Sequence, residues 1–130
     1  MPAQRPKLLA IVELGGYPNF APLYRGLGFD VEFATSQRRA QAWLKRTTPE
    51  VIVAEYNFQS DFRDRSSNLE TLMARLQKTP QVRVIVFYQR EYEGKLDGLK
   101  ARFPIFGALP LPVDPSDLEQ LLRRALPPSI

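Results

Sequence analysis

The stretch PEVIVAE at residues 49–55 contains the pattern that decides the fold. Pro49 separates it from the preceding segment, residues 51–54 are all apolar, and the run stops abruptly at Glu55. An unbroken apolar run of this length is typical of a parallel strand that helices cover on both faces. Glu55 is therefore predicted to lie at the carboxyl end of a buried strand, the edge at which open parallel sheets form their sites.

Other segments of the chain have the length and composition of strands. Residues 8–12 and 82–87 form continuous apolar runs and predict two further buried strands, and residues 105–109 predict a short last one. Residues 29–34 alternate between apolar and acidic side chains, which predicts an edge strand with one exposed face. Five strands are therefore expected.

A helix is predicted between each pair of strands and after the last one. Gly28 is expected to end the first helix, Thr35 or Ser36 to cap the second, Asn68 to cap the third, and Asp114 to cap the last. Two glycines between residues 91 and 101 predict that the fourth helix is weak and loose, because each costs roughly 1 kcal/mol relative to alanine.

This strict alternation of strands and helices predicts a three-layer α/β/α fold around a five-stranded parallel sheet. An edge position for the second strand agrees with the flavodoxin-like order 2-1-3-4-5, and residues 15–16 lack the glycine fingerprint of a dinucleotide-binding fold. We expect one domain over residues 1–130, with its core at about residues 7–126.

Composition narrows the chemistry that is available to the protein. The 130 residues include no cysteine and no histidine, which removes disulfides, thiol and imidazole catalysis, and the usual zinc ligands. No apolar run is long enough for a membrane span or a signal peptide, so a cytoplasmic protein is expected. We predict neither a metal ion nor another cofactor.

Three segments in order resemble the receiver domains of bacterial response regulators. They are GFDV at residues 28–31 with ATS at 34–36, PEVIVAE at 49–55, and LPLPVDP at 109–115. The resemblance extends over nearly the whole chain, and it implies the CheY-like fold and a role in two-component signal transduction.

The resemblance also implies a site, which this sequence departs from at every position. In the family, an aspartate after the third strand accepts a phosphoryl group, an acidic pair holds Mg²⁺, and a Thr or Ser and a Lys complete the site. The corresponding residues here are Glu55 for the acceptor, Glu13 and Leu14 for the acidic pair, Tyr88 for the hydroxyl and Leu111 for the lysine. Because Leu14 and Leu111 remove a metal ligand and a cation, we predict a degenerate pseudo-receiver that is not an enzyme.

Two interpretations of Glu55 remain open from the sequence. Its carboxylate is either solvated or capping a nearby backbone amide, or it imitates the charged, active state and holds the domain in one conformation. Glu13 nearby would repel it unless a proton or a cation such as Arg90 intervenes. Aromatic residues near the same edge, among them Tyr17 and Tyr56, either form a protein-binding surface or fill the vacated pocket.

The predicted function is binding to another protein, either a signalling partner or a second copy of the chain. In the family, the fourth helix, fifth strand and fifth helix form the interaction face, which corresponds here to Tyr92, Leu96, Phe106, Glu119 and Arg123. One alternative is a working phosphoacceptor modified at Glu55 or Asp61. Another is nucleic-acid binding through the basic second helix, with Arg38, Arg39, Lys45 and Arg46 and a net charge of +4. A solvated helix face explains these cations more simply.

Overall fold

The computed structural model of the protein describes residues 5–56 and 69–126. Strands and helices alternate there in the order β1 (Lys7–Ile11), α1 (Ala21–Gly26), β2 (Asp30–Ala34), α2 (Gln37–Leu44), β3 (Val51–Tyr56), α3 (Glu70–Leu76), β4 (Arg83–Tyr88), α4 (Glu93–Arg102), β5 (Gly107–Pro110) and α5 (Pro115–Ala125). A 3₁₀ turn, Arg90–Tyr92, leads into α4.

The five strands form one parallel sheet in the order β2-β1-β3-β4-β5, which confirms the predicted topology. β3 is buried along its whole length and β4 after its first residue, as their unbroken apolar runs predicted. β2 pairs only with β1 among the described strands and is largely exposed, which confirms its edge position.

Helices cover the sheet on both faces and complete the predicted three-layer fold. α2, α3 and α4 pack on one face around Leu72 and Leu96, and α1 and α5 pack on the other around Phe29 and Leu118. Because side chains alternate along a strand, neighbouring residues of β1 and β3 belong to opposite layers of the core.

The predicted helix ends are found where the structure describes them. The Ser36 hydroxyl accepts a hydrogen bond from the backbone amide of Arg39 at 3.1 Å, and Asp114 accepts one from that of Ser116 at 2.8 Å. Gly28 follows α1 with a φ of 98°, a backbone conformation that glycine adopts without steric cost. The predicted cap at Asn68 lies outside the described residues.

Two elements differ from the sequence-based prediction. α4 is a regular ten-residue helix, because the burial of Leu96 and Leu99 offsets the cost of its glycines. β5 begins at Gly107, two residues later than predicted. A Cβ atom at Gly107 would lie 2.7 Å from the Leu121 side chain, so a larger residue here would require Leu121 of α5 to move.

Candidate functional site

Glu55 lies near the carboxyl end of β3, paired in register with Phe87 of β4. Its position in the strand places its side chain on the face that α1 and α5 cover. Among the described residues, it is the charged side chain that the core encloses, with only 4% of its surface exposed. A buried carboxylate requires hydrogen-bond donors to replace the water it has lost.

Backbone amides of the loop after β1 supply those donors. The amide of Leu14 donates to Glu55 Oε1 at 2.9 Å, and the amides of Glu13 and Gly15 donate to Oε2 at 3.1 and 3.2 Å. Three consecutive N–H groups thus converge on one carboxylate, an arrangement known as an anion-binding nest. We call residues 13–17 the amide loop.

The two glycines of the amide loop account for its conformation. Gly15 and Gly16 have φ values of 69° and 84°, in the left-handed region that other L-residues rarely adopt. The positive φ values turn the chain back on itself, so that successive amides face the same side. The sequence therefore encodes the turn of the amide loop at residues 15–16, shortly after β1 ends at Ile11.

Tyr17 closes the site from the side of α1. Its hydroxyl donates to Glu55 Oε2 at 2.6 Å, and its ring contacts Phe87 edge-on with centroids 5.2 Å apart. The pKa of Tyr17 is raised above its ordinary value of 10.0, mainly because the side chain is buried and also because its hydroxyl is hydrogen-bonded to Glu55. The hydroxyl therefore remains protonated and acts as a donor at neutral pH.

Glu13 and Leu14, the residues at the acidic-pair positions, do not form a pair of carboxylates beside Glu55. The Leu14 side chain is 74% exposed, so this residue contributes only its backbone amide. The Glu13 carboxylate is half-buried and accepts a hydrogen bond at 3.0 Å from the side-chain amide of Gln37 in α2. The described partners of the Glu13 and Glu55 carboxylates are hydrogen-bond donors.

The remaining two positions of the predicted pocket also have other partners. Tyr88 is buried in the layer of α2, α3 and α4, and its hydroxyl donates to Glu93 at 3.1 Å. Burial and this hydrogen bond raise the pKa of Tyr88. Leu111 packs on the opposite layer, and its backbone amide donates to the Tyr88 carbonyl at 2.8 Å.

The described side chains of this site do not provide the set of oxygen ligands for the Mg²⁺ ion that the resemblance implies. A magnesium ion requires several oxygen ligands in nearly octahedral geometry, and the lone pairs of Glu55 that would serve it accept N–H and O–H donors instead. Within residues 5–56 and 69–126, no group of acidic residues is arranged to hold a metal ion. The Leu111 side chain offers a phosphoryl group no positive charge.

The residues predicted for the interaction face are distributed between surface and core. Tyr92 and Phe106 are half-buried, and the Arg83 guanidinium lies 5.0 Å from the centroid of the Phe106 ring. Glu119 and Arg123 form an ion pair on α5 at 2.9 Å. Leu96 is fully buried, so it supports this face from inside and does not contact a partner on the surface.

The basic residues of the second helix lie on the surface, as the nucleic-acid alternative requires. Arg38, Arg39, Lys45 and Arg46 are all exposed on or just after α2. Asp61 lies outside the described residues, as do the aromatic residues at 58 and 62. No helix in the described part of the chain is long and apolar enough to cross a membrane.

Capping of a nearby backbone amide by Glu55 is one of the two interpretations that the sequence leaves open, but the sequence alone names neither the amides of residues 13–15 nor Tyr17 as partners. A double glycine shortly after a buried strand is the available signal, because such a turn can direct successive amides toward one anion. The identity of the anion that these amides bind depends on the crossover between β1 and β3, which brings Glu55 beside them.

The fold is similar to that of solved receiver domains. Chemotaxis protein CheY4 of Vibrio cholerae matches with a TM-score of 0.72 and 21% identity, over 95% of this chain and 100% of that chain. A response regulator receiver domain protein from Clostridium thermocellum matches with a TM-score of 0.74 and 20% identity, over 92% and 93%. A putative response regulator from Chloroflexus aurantiacus matches with a TM-score of 0.72 and 17% identity, over 94% and 98%.

No protein-family model and no curated protein matches the sequence. At these identities, the structural similarity establishes the CheY-like, flavodoxin-like fold of the chain.

Proposed function

We propose that the chain is a cytoplasmic receiver-like signalling domain that binds another protein without accepting a phosphoryl group. The observation that carries this proposal is the environment of Glu55. Its carboxylate occupies the acceptor position of the fold, yet it is buried beneath the amide loop and accepts hydrogen bonds from three amides and Tyr17. The receiver scaffold is thus retained while the chemistry of the site is not.

Phosphoryl transfer to a carboxylate requires conditions that this site does not meet. The attacking oxygen must reach the phosphorus atom, and cations must neutralise the charge on the transferred group. In this chain the amide loop covers the carboxylate, and leucine side chains replace a metal ligand at position 14 and a lysine at position 111. We therefore favour a domain whose conformation does not depend on phosphorylation.

The buried carboxylate of Glu55 also explains how the pocket stays ordered without phosphorylation. Glu55 accepts from backbone amides, as the first of its two interpretations expects, and it thereby holds the amide loop in one conformation. We propose that this contact replaces the phosphorylation-dependent ordering of the pocket. The surface around it then has a single, permanent shape for a partner.

The surface formed by α4, β5 and α5 is the proposed interaction face. Its described accessible residues are Tyr92, Phe106, Glu119 and Arg123, with Arg83 beside the Phe106 ring. Aromatic and arginine side chains are enriched where proteins bind each other. A signalling partner or a second copy of the chain would contact this face.

Beryllofluoride tests whether the pocket accepts a phosphoryl group. We expect no shifts of the amide resonances of Glu13, Gly15 or Glu55 when Mg²⁺ and beryllofluoride are added at millimolar concentrations to ¹⁵N-labelled protein. The reason is that the carboxylate is already bound by the amide loop. A functional receiver domain under the same conditions serves as the positive control, and saturable shifts in this chain would show that it is a working phosphoacceptor.

Capture experiments test the interaction face. We expect wild-type protein to enrich specific proteins from its native cytoplasm, and the double variant Phe106→Ala/Arg123→Glu to lose at least about tenfold of that enrichment, because buried aromatic and arginine contacts dominate binding. Arg38→Glu, a charge reversal on α2, which packs on β1 and β2 away from β5, serves as the matched control and should bind normally.

Three outcomes of the capture would contradict the proposal. The first is recovery of no specific protein, and the second is an unchanged set of proteins with the double variant. The third is loss of all captured material after nuclease treatment or with Arg38→Glu, which would instead support nucleic-acid binding through α2.

A further inference from the structure

A second potential site lies beside Glu55, on the face of the sheet that α1 covers. The structure has a cleft of about 340 Å³ between the segment before α1, α1 itself and the edge strand β2. Ala10 and Val53 of the sheet form its floor. The cleft exists because α1 begins only at Ala21, which leaves this end of the sheet without a helix above it.

The walls of the cleft are mainly aromatic. Tyr17, Phe20, Tyr24 and Phe33 all line it. Tyr17 and Phe20 are stacked at 6.3 Å, and both contact the Phe87 ring, so this wall is held in place by the core. Phe33 is 41% exposed although it is a large apolar side chain on β2. Exposed aromatic surface next to a rigid aromatic wall favours a flat apolar ligand.

The polar groups of the cleft restrict the charge of that ligand. None of the described lining residues has a formal charge at neutral pH. Asn19 and Thr35 contribute the polar groups, and the Asn19 carbonyl oxygen accepts from the Ala21 amide at 2.9 Å, which orients the side chain. A charged ligand group would lose water here without gaining a charged partner among the described residues, and that loss is costly.

From these observations we infer that the cleft binds a small, neutral, planar aromatic molecule. Its volume lies in the range of small-ligand sites, which are mostly apolar with a few polar groups. The inference concerns a site separate from the interaction face and does not rest on the proposed function. A flat ring lies between Phe33 and the Tyr17–Phe20 wall, with a polar atom directed to Asn19 or Thr35.

Tyr17 connects this cleft with the carboxylate site. Its ring lines the cleft, while its hydroxyl donates to Glu55 at 2.6 Å. A ligand in the cleft therefore contacts a residue that holds the amide loop in place. Ligand binding restricts the motion of Tyr17 further. We therefore expect the amide resonances of the amide loop, like those of β2, to shift when a ligand binds.

Titration with indole, followed in ¹H–¹⁵N spectra of the full chain, tests the inference. We expect saturable shifts of the Asn19, Phe33 and Thr35 amides, with a dissociation constant of about 1 mM or lower for a ligand of this size. Indole-3-carboxylate has the same ring with a negative charge and should bind at least about tenfold more weakly, because its carboxylate would be desolvated without a cation.

Three variants show where indole binds. Phe33→Ala removes an exposed wall and should weaken binding by about threefold to tenfold, the usual contribution of an aromatic pair. Thr35→Phe places a ring over the cleft and should abolish the shifts. Phe103→Ala removes a half-buried aromatic residue that packs on the opposite layer of the core, and should bind indole as the wild type does.

Several results would overturn the inference. They are the absence of saturable shifts with wild-type protein, unchanged binding to both cleft variants, and equal binding of indole and its carboxylate. Sedimentation of the protein alone provides a further test. If the same resonances shift with protein concentration as a dimer forms, the occupant of the cleft is a second copy of the chain and not a small molecule.

Discussion

Glu55→Ala is expected to lower the free energy of unfolding by about 3 kcal/mol, because hydrogen bonds to a charged group contribute more than neutral ones. The substitution removes the common acceptor of three amides and the Tyr17 hydroxyl, and it leaves those donors unsatisfied at a buried position. Urea unfolding followed by the fluorescence of Trp43 measures the change. Glu55→Gln should also destabilise, because its amide nitrogen would face N–H donors.

Two further variants separate this effect from the general loss of a carboxylate. Glu119→Ala breaks an exposed ion pair on α5 and should change stability by less than about 1 kcal/mol. Tyr17→Phe removes one of the donors to Glu55 and should lie between the two. If Glu55→Ala were no more destabilising than Glu119→Ala, the amide loop would not depend on the buried carboxylate.

Phe87→Ala is expected to destabilise the protein by about 3–5 kcal/mol, the usual cost of truncating a buried aromatic side chain. The Phe87 side chain is 1% exposed, and its ring contacts those of Tyr17 and Phe20 edge-on. The cavity left by the substitution removes the support behind Tyr17. We therefore expect both a lower urea midpoint and shifted amide resonances in residues 13–17.

Phe33→Ala provides the matched comparison for this second substitution. The same chemical change at a position 41% exposed should cost less than about 1.5 kcal/mol, because less apolar surface is lost from the core. It should also leave the Glu13 and Leu14 amide resonances in place. A loss of stability equal to that of Phe87→Ala, or unchanged amide-loop resonances in Phe87→Ala, would contradict this account of how the core supports the site.

The two substitutions concern one structural unit that extends from the core to the pocket. Phe87 supports Tyr17, and Tyr17 together with the amide loop binds Glu55. The residue at the phosphoacceptor position of the fold therefore contributes to stability. This arrangement explains how a domain with this fold can keep an ordered pocket with leucine at positions 14 and 111.

The sequence was sufficient for the fold because its signals are local. Unbroken apolar runs such as residues 51–54 indicate buried parallel strands, and the alternation in residues 29–34 indicates an edge strand. Together with the cap residues Ser36 and Asp114, these patterns led to the observed strand order. The extent of α4 was harder to predict, because tertiary burial of Leu96 and Leu99 outweighs the low helix propensity of its glycines.

The layers, the strand order and the position of a carboxylate at the end of β3 can therefore be predicted from the amino-acid sequence. The hydrogen-bond partners of that carboxylate cannot, because they depend on tertiary contacts. Glu13 and Glu55 are separated by 42 positions, and the crossover between β1 and β3 brings them together. Periodicity reports on which face a side chain occupies, whereas the partners of a buried charge depend on contacts between distant segments, and here those contacts are the amide loop and Tyr17.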